Sequence, residues 1–195
     1  MQSITIEHQQ ATFRILRYIK GAPGQGLFFP RENSFQLRGY CDADWGACPI
    51  TRRSTTGYFM TLGDAPISWK TKKQPTVSRS SAEAEYRAMA SAASELIWLR
   101  TLLHDFTVDH SQSMQMFCDN QAAMHIASNP VYHERTKHIE IDCHFDREHI
   151  ESKAIEIAYI PSVIQPADIF TKALSDDQFH RLLSKLGVSS LHTPT

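Results

Sequence analysis

Residues 34–46, SFQLRGYCDADWG, followed by 56–64, TGYFMTLGD, and 65–73, APISWKTKK, decide the fold. Each stretch is rich in aromatic and β-branched residues and is bounded by Gly, Pro or Asp, the pattern of short strands joined by tight turns. Three such runs in succession predict an antiparallel meander. Residues 78–106, SRSSAEAEYRAMASAASELIWLRTLLHDF, then carry the longest helical periodicity in the chain, and 113–119, SMQMFCD, form an apolar run that stops at an acid. Beyond it lie a short helix in 120–129 stopped by Pro130, a His-rich helix in 138–152, and a strand in 154–160 ended by Pro161. Pro166 is expected to open a helix through ADIFTKAL, and DQFHRLLSKLG forms the last one. At the other end, 8–20 read as a short helix with Phe13, Leu16 and Ile19 near one side, terminated by Gly21, Pro23 and Gly24. The order βββαβαβα with a further helix predicts an α/β sandwich whose sheet mixes antiparallel and parallel strands.

The 195 residues, 42% hydrophobic and 21% charged, suffice for one substantial core. Twenty Lys and Arg against 21 Asp and Glu give a formal charge of −1, so any nucleic-acid contact must come from local basic patches. Cys41, Cys48, Cys118 and Cys143 form no CxxC pair and read as reduced thiols of an intracellular protein. No apolar run approaches the roughly 18 residues of a membrane span, and neither a secretory signal nor an anchor is visible. His138, Cys143 and His144 fit no zinc spacing, so zinc is not expected.

Acids stand where a sheet of this kind gathers functional groups, at strand ends and the adjoining helices. Asp42 and Asp44 share a face at the end of the first strand, and pattern alone does not separate them; both also suit a turn before Gly46. Glu83 and Glu85 do separate. Ser80 and Glu83 have the S-x-x-E spacing of a capping box, whereas Glu85 heads the stripe Met89, Ala92, Leu96, Leu99 and Leu103 and points toward the sheet. A charged, unpaired carboxylate there costs several kcal/mol, so it needs a metal ion or a partner such as Arg79 or Arg87. Asp119 suits an N-cap, and Asp168 sits in the first turn of a helix, where the dipole favours an acid. Each acid alone has this local explanation. Together they supply the hard oxygen ligands that magnesium prefers, in the number that phosphodiester chemistry at two metal ions requires.

Taken in order, GYCDADWG, TRRSTTGYF, ISWKTKKQPTVSRSSAEAEY, FCDNQAA, RTKHIEIDCHFDRE and QPADIFTKAL resemble the ribonuclease H domain of copia-type LTR retrotransposon Pol polyproteins, over nearly the whole chain. The resemblance implies a ribonuclease H-like fold with a mixed five-stranded sheet flanked by helices. Residues 14–29, RILRYIKGAPGQGLFF, resemble the connection to reverse transcriptase. Residues 1–30 would be a polymerase remnant, 31–175 the ribonuclease H-like domain, and 176–195 a C-terminal helix and tail. The family's four-acid site falls on Asp42, Glu85, Asp119 and Asp168, holding two Mg2+ (or Mn2+) and cutting the RNA strand of an RNA–DNA hybrid. Implied substrate contacts are Arg52, Arg53, Lys72, Lys73, Arg79, Ser81, Asn120, Lys137 and His138, with Lys70 beside them; a solvated charged turn is the alternative for the basic group. The reverse transcriptase domain of the same polyprotein is the implied partner, and the cytoplasm, in a virus-like particle, the implied location. One departure is visible: cellular and many retroviral ribonucleases H carry a mobile Gly-His loop before the final acid, and 160–165, IPSVIQ, has no His. His138, His144 and His149 could substitute, although a His-rich amphipathic face is ordinarily solvated. Two other functions compete: an integrase-like polynucleotidyl transferase, which would need a three-acid site and a zinc segment, and a domesticated binding or assembly module without catalysis.

Overall fold

The computed structural model describes residues 3–128 and 148–190. The meander forms as expected: β2 (Leu37–Asp44), β3 (Thr55–Leu62) and β4 (Ala65–Lys73) are consecutive antiparallel neighbours. Helix α2 (Ser81–Asp105) crosses over to β5 (Met114–Cys118), which lies parallel to β2, and β6 (Ile155–Tyr159) adds parallel to β5. The sheet order β4-β3-β2-β5-β6 is the mixed five-stranded sheet that the sequence predicts.

Alternation along β2 assigns its two faces. Gly39 faces α2, where an added Cβ would lie 2.9 Å from Met60 Sδ and 3.1 Å from Leu96, so the helix sits close because this residue has no side chain. Leu37, Cys41 and Ala43 share that face and are buried with Tyr86, Met89, Leu96 and Met116. The stripe read from the sequence is this contact: Met89, Ala92, Leu96 and Leu99 are buried, and Leu103 is packed against them. On the opposite face Tyr40 stacks on Phe117 at 4.9 Å, and Asp42 points away from α2.

Ser80 caps α2 by accepting from the Glu83 N–H at 3.1 Å. The reciprocal arm of the expected box shifts by one residue, because Glu83 Oε2 accepts from the N–H of Arg79 at 2.8 Å, while Oε1 pairs with Arg87 at 3.2 Å. Helix α3 (Gln121–Ser128) follows β5, and its cap is Asn120, whose Oδ1 accepts from Ala123 N at 3.0 Å; Asp119 is thereby left for another role. The helix expected after Pro166 is instead a 3-10 segment, Pro166–Phe170. The final helix forms as α4 (Asp176–Lys185), capped by Ser175.

Helix α1 (Ile6–Gly21) extends slightly beyond its expected bounds, but it buries no residue, and Phe13, Leu16 and Ile19 are exposed. Periodicity reports that a face is apolar, not that anything covers it. Two short strands were not expected: β1 (Gln25–Leu27) pairs antiparallel with β7 (Val188–Ser190), joining two segments placed outside the central domain. Among the described residues no helix is long and apolar enough to cross a membrane.

Candidate active site

β2 and β5 are parallel neighbours, so their carboxyl ends lie side by side, with Tyr40 opposite Phe117. Two residues further on, Asp42 lies near the end of β2 and Asp119 follows β5. The third acid arrives from the far end of the chain. Gln165, fully buried, donates from Nε2 to Cys41 O at 3.1 Å and accepts from Ala167 N, which locks the 3-10 segment against β2 and brings in Asp168. Gly57, the partner of Asp42 on β3, leaves room for that segment, since a Cβ there would lie 2.6 Å from Thr171 Cγ2 and 2.9 Å from Phe170 Cβ.

Asp42, Asp119 and Asp168 each offer an oxygen within 4.8 Å of the others. Glu85, Cys118 and Asp119 form a second group on the same criterion, so Asp119 belongs to both. All four acids identified in the sequence thus converge. Asp42 is fully buried and Asp168 is 2% exposed. Asp119 is only partly buried and accepts from the Ser162 hydroxyl at 2.7 Å. Ser162 lies in the loop without a histidine, a 3-10 turn over Ser162–Ile164.

The electrostatics record the cost of this crowding. Burial first, and then the neighbouring groups Asp42, Cys118 and Asp119, push the Glu85 carboxyl up to about 10, only partly offset by the Ala43 backbone N–H. Its Oε2 is buried with no hydrogen-bond partner. A carboxyl oxygen so placed lacks the partner that burial demands. Arg87, one candidate for that partner, is paired with Glu83 at 3.2 Å. Asp168 is pushed up to about 6 by burial and by Asp42 and Asp119, against the pull of Lys172. Asp44, the last residue of β2, is raised by burial and by Asp42, and is not part of either group of acids.

Lys172 is the residue that sequence reasoning missed. Its Nζ lies 2.9 Å from Asp42 Oδ1 and 2.8 Å from Asp168 Oδ1, and the Thr171 hydroxyl donates to Asp42 Oδ2. Although burial opposes its charge, the two carboxylates raise its pKa. The signal was available in the i,i+4 spacing from Asp168, but it depended on a helical turn spanning 168–172.

The basic residues gather at the same end of the sheet. Lys72 and Lys73 close β4, opposite Thr56 and Thr55 of β3, and all of them stand at the end where β2 delivers Asp42 and Asp44. Arg52 and Arg53 are exposed in the β2–β3 loop, and Arg79 and Ser81 are exposed at the start of α2. A groove of about 410 Å³ lined by Lys70, Lys72, Lys73 and Arg87 with Tyr58 and Glu95 runs on the α2 side of β3 and β4; none of the four acids lines it. Lys73 Nζ contacts Cys48 Sγ at 3.0 Å, and the Cys48 thiol is lowered to about 6 by its Thr51 and Lys73 hydrogen bonds. Asn120 is partly buried, with its Oδ1 committed to the α3 cap. Lys137, His138 and His144 lie outside the described residues.

No protein-family model matches the chain. It is 43% identical over 189 residues, 97% of its length, to the retrovirus-related Pol polyprotein from transposon RE1 of Arabidopsis thaliana, and 42% identical over 188 residues to that from transposon RE2 of the same plant. The chain spans 13% of the length of either polyprotein. Among solved structures, an RNase H1 isolated from compost by a metagenomic approach superposes with a TM-score of 0.53 at 16% identity, covering 70% of this chain and 93% of that one. The N-terminal RNase H domain of rv2228c from Mycobacterium tuberculosis gives 0.52 at 11% identity, covering 77% and 98%. The chain therefore belongs to the retrovirus-related Pol polyproteins of transposons, and the part of such a polyprotein that it represents has the ribonuclease H fold.

Proposed function

We propose that the chain is a metal-dependent endoribonuclease that cleaves the RNA strand of RNA–DNA hybrids during retrotransposon reverse transcription. The observation that carries this reading is the convergence of Asp42, Glu85, Asp119 and Asp168 from two strand ends, a helix and a 3-10 segment into two groups that share Asp119, the one with Glu85 also holding the Cys118 thiol. The donor set fits magnesium, with manganese able to substitute: four carboxylates make a hard site, and Glu85 brings a buried oxygen with no partner of its own. Two such ions would supply activated water and a counter-charge for the leaving oxygen.

The chain's own residues divide the remaining work. Asp42, rigid in the middle of the sheet, and Glu85, held by α2, would fix ligand positions that need no rearrangement on binding. Asp119, the most accessible of the four, faces the solvent side from which a phosphodiester would enter. Lys72, Lys73, Arg52, Arg53 and Arg79 would hold phosphates of the hybrid, and discrimination for RNA would rest on its 2′-hydroxyls. A related fold, the compost RNase H1, has been solved in complex with an RNA/DNA hybrid.

By the same reading, residues 1–30 belong to the polymerase connection, 31–175 form the nuclease domain and 176–195 its C-terminal helix and tail. The reverse transcriptase domain of the same polyprotein would be the partner, in a cytoplasmic virus-like particle. The test is incubation of the full chain with labelled RNA–DNA hybrid, double-stranded RNA and duplex DNA, with Mg2+ or Mn2+. Cleavage confined to the RNA of the hybrid is expected. Intact hybrid with both metals, or equal cleavage by Asp119→Asn, would reject the reading.

A further inference from the structure

Asp42 has no free oxygen: one accepts from Lys172 at 2.9 Å and the other from the Thr171 hydroxyl. The same ammonium is 2.8 Å from Asp168. A divalent ion ligated by Asp42 and Asp168 would therefore meet a positive charge already seated on both of its ligands. Two cations at such close range repel strongly in a partly buried setting. Lys172 can yield, because its side chain is 35% exposed, whereas Asp42 and Asp168 at 0% and 3% cannot turn away. A lysine is also a point charge on a flexible four-carbon stem, with none of the bidentate grip of an arginine.

We infer that Lys172 is a built-in cation that holds the Asp42–Asp168 pair together in the metal-free protein, and that metal binds by exchange for its ammonium. The inference rests on the metal-dependent reading above and adds to it a residue that sets metal affinity. Lys172 is a positioning residue in this account. It gives the two carboxylates their spacing before the ions arrive and then leaves.

The exchange is read in two ways that do not depend on cleavage. Calorimetric titration of Mg2+ and Mn2+ into the full chain is expected to show Lys172→Met binding about tenfold or more tightly than wild type, a difference of about 1.4 kcal/mol. The metal-free Lys172→Met protein melts at a lower temperature and recovers more on adding Mg2+. In the wild-type chain, acetylation of Lys172 by acetic anhydride, mapped by mass spectrometry, is slow without metal and faster at saturating Mg2+. This second measurement needs no variant, so it decides the question even if Lys172→Met does not fold. Unchanged Lys172 labelling in protein that calorimetry shows to be metal-bound would overturn the exchange and leave the nuclease reading standing. Absence of metal binding in the wild-type chain would overturn both.

Discussion

Replacing Glu85 by glutamine keeps the size and shape of the side chain and removes only its ability to become an anion. In the metal-free fold the Glu85 carboxyl is raised from the ordinary 4.5 to about 10 by burial and by Asp42 and Asp119. The folded chain thus holds a proton that the unfolded chain has lost at neutral pH. Stability then falls as pH rises between those two values, by about 1.4 kcal/mol per pH unit. Asp168, raised to about 6, adds a loss in the same direction at lower pH, so Glu85 is best isolated above that value. Across two pH units from about 6.5 upward, urea unfolding of metal-free wild type is expected to lose about 3 kcal/mol more than Glu85→Gln. Mg2+ at the upper pH restores stability to the wild type, because binding N but not U stabilises the fold, and does little for the variant, which has lost a ligand. Cleavage by Glu85→Gln is expected to be abolished with the fold retained. Parallel loss of stability with pH in wild type and Glu85→Gln, or equal protection of both by Mg2+, would rule out a buried, protonated Glu85 that becomes a metal ligand.

Asp119→Asn should abolish cleavage while shifting the melting temperature little, since the amide oxygen can still accept from Ser162 and the residue is only partly buried; a large loss of stability would mean that Asp119 is structural. Glu83→Gln should spare cleavage and cost about 1–2 kcal/mol by urea unfolding, because it gives up the Arg87 ion pair but keeps an oxygen for the Arg79 N–H. Gly57→Ala should lower stability and cleavage together. Its Cβ would drive into Thr171 and Phe170, and the segment carrying Asp168 must move by more than a side chain can absorb, at a cost of about 2 kcal/mol or more; wild-type activity and melting temperature in this variant would show that the segment is not held against β3.

Strand alternation and turn residues made the meander legible, and the long apolar stripe made α2 legible, because both depend on local periodicity that tertiary contacts then reinforce. The choice of Glu85 over Glu83 followed from the same helical geometry. What the sequence hid was set by contacts distant along the chain. The pairing of β1 with β7 joins segments of three residues whose local pattern is too short to read. The 3-10 form of Pro166–Phe170 reflects Gln165 anchoring to Cys41, a bond across more than half the chain. Lys172 escaped for a similar reason: a lysine near the end of a short amphipathic stretch reads as solvated until Asp42 is seen beneath it. Asn120, expected to meet substrate, spends its side-chain oxygen on a helix cap, a competing use that residue type alone does not reveal.

The Gln165–Cys41 bond also bears on when the site comes into being. A chain made from its N-terminus can complete the meander, α2 and β5 before residues 165–172 exist, and domains generally begin folding in that order. Until that late segment docks, Asp42, Glu85 and Asp119 lack the fourth carboxyl group that Asp168 brings. The last element to arrive brings its own counter-charge four residues after its acid. The four-acid cluster is therefore complete only once residues 165–172 have docked.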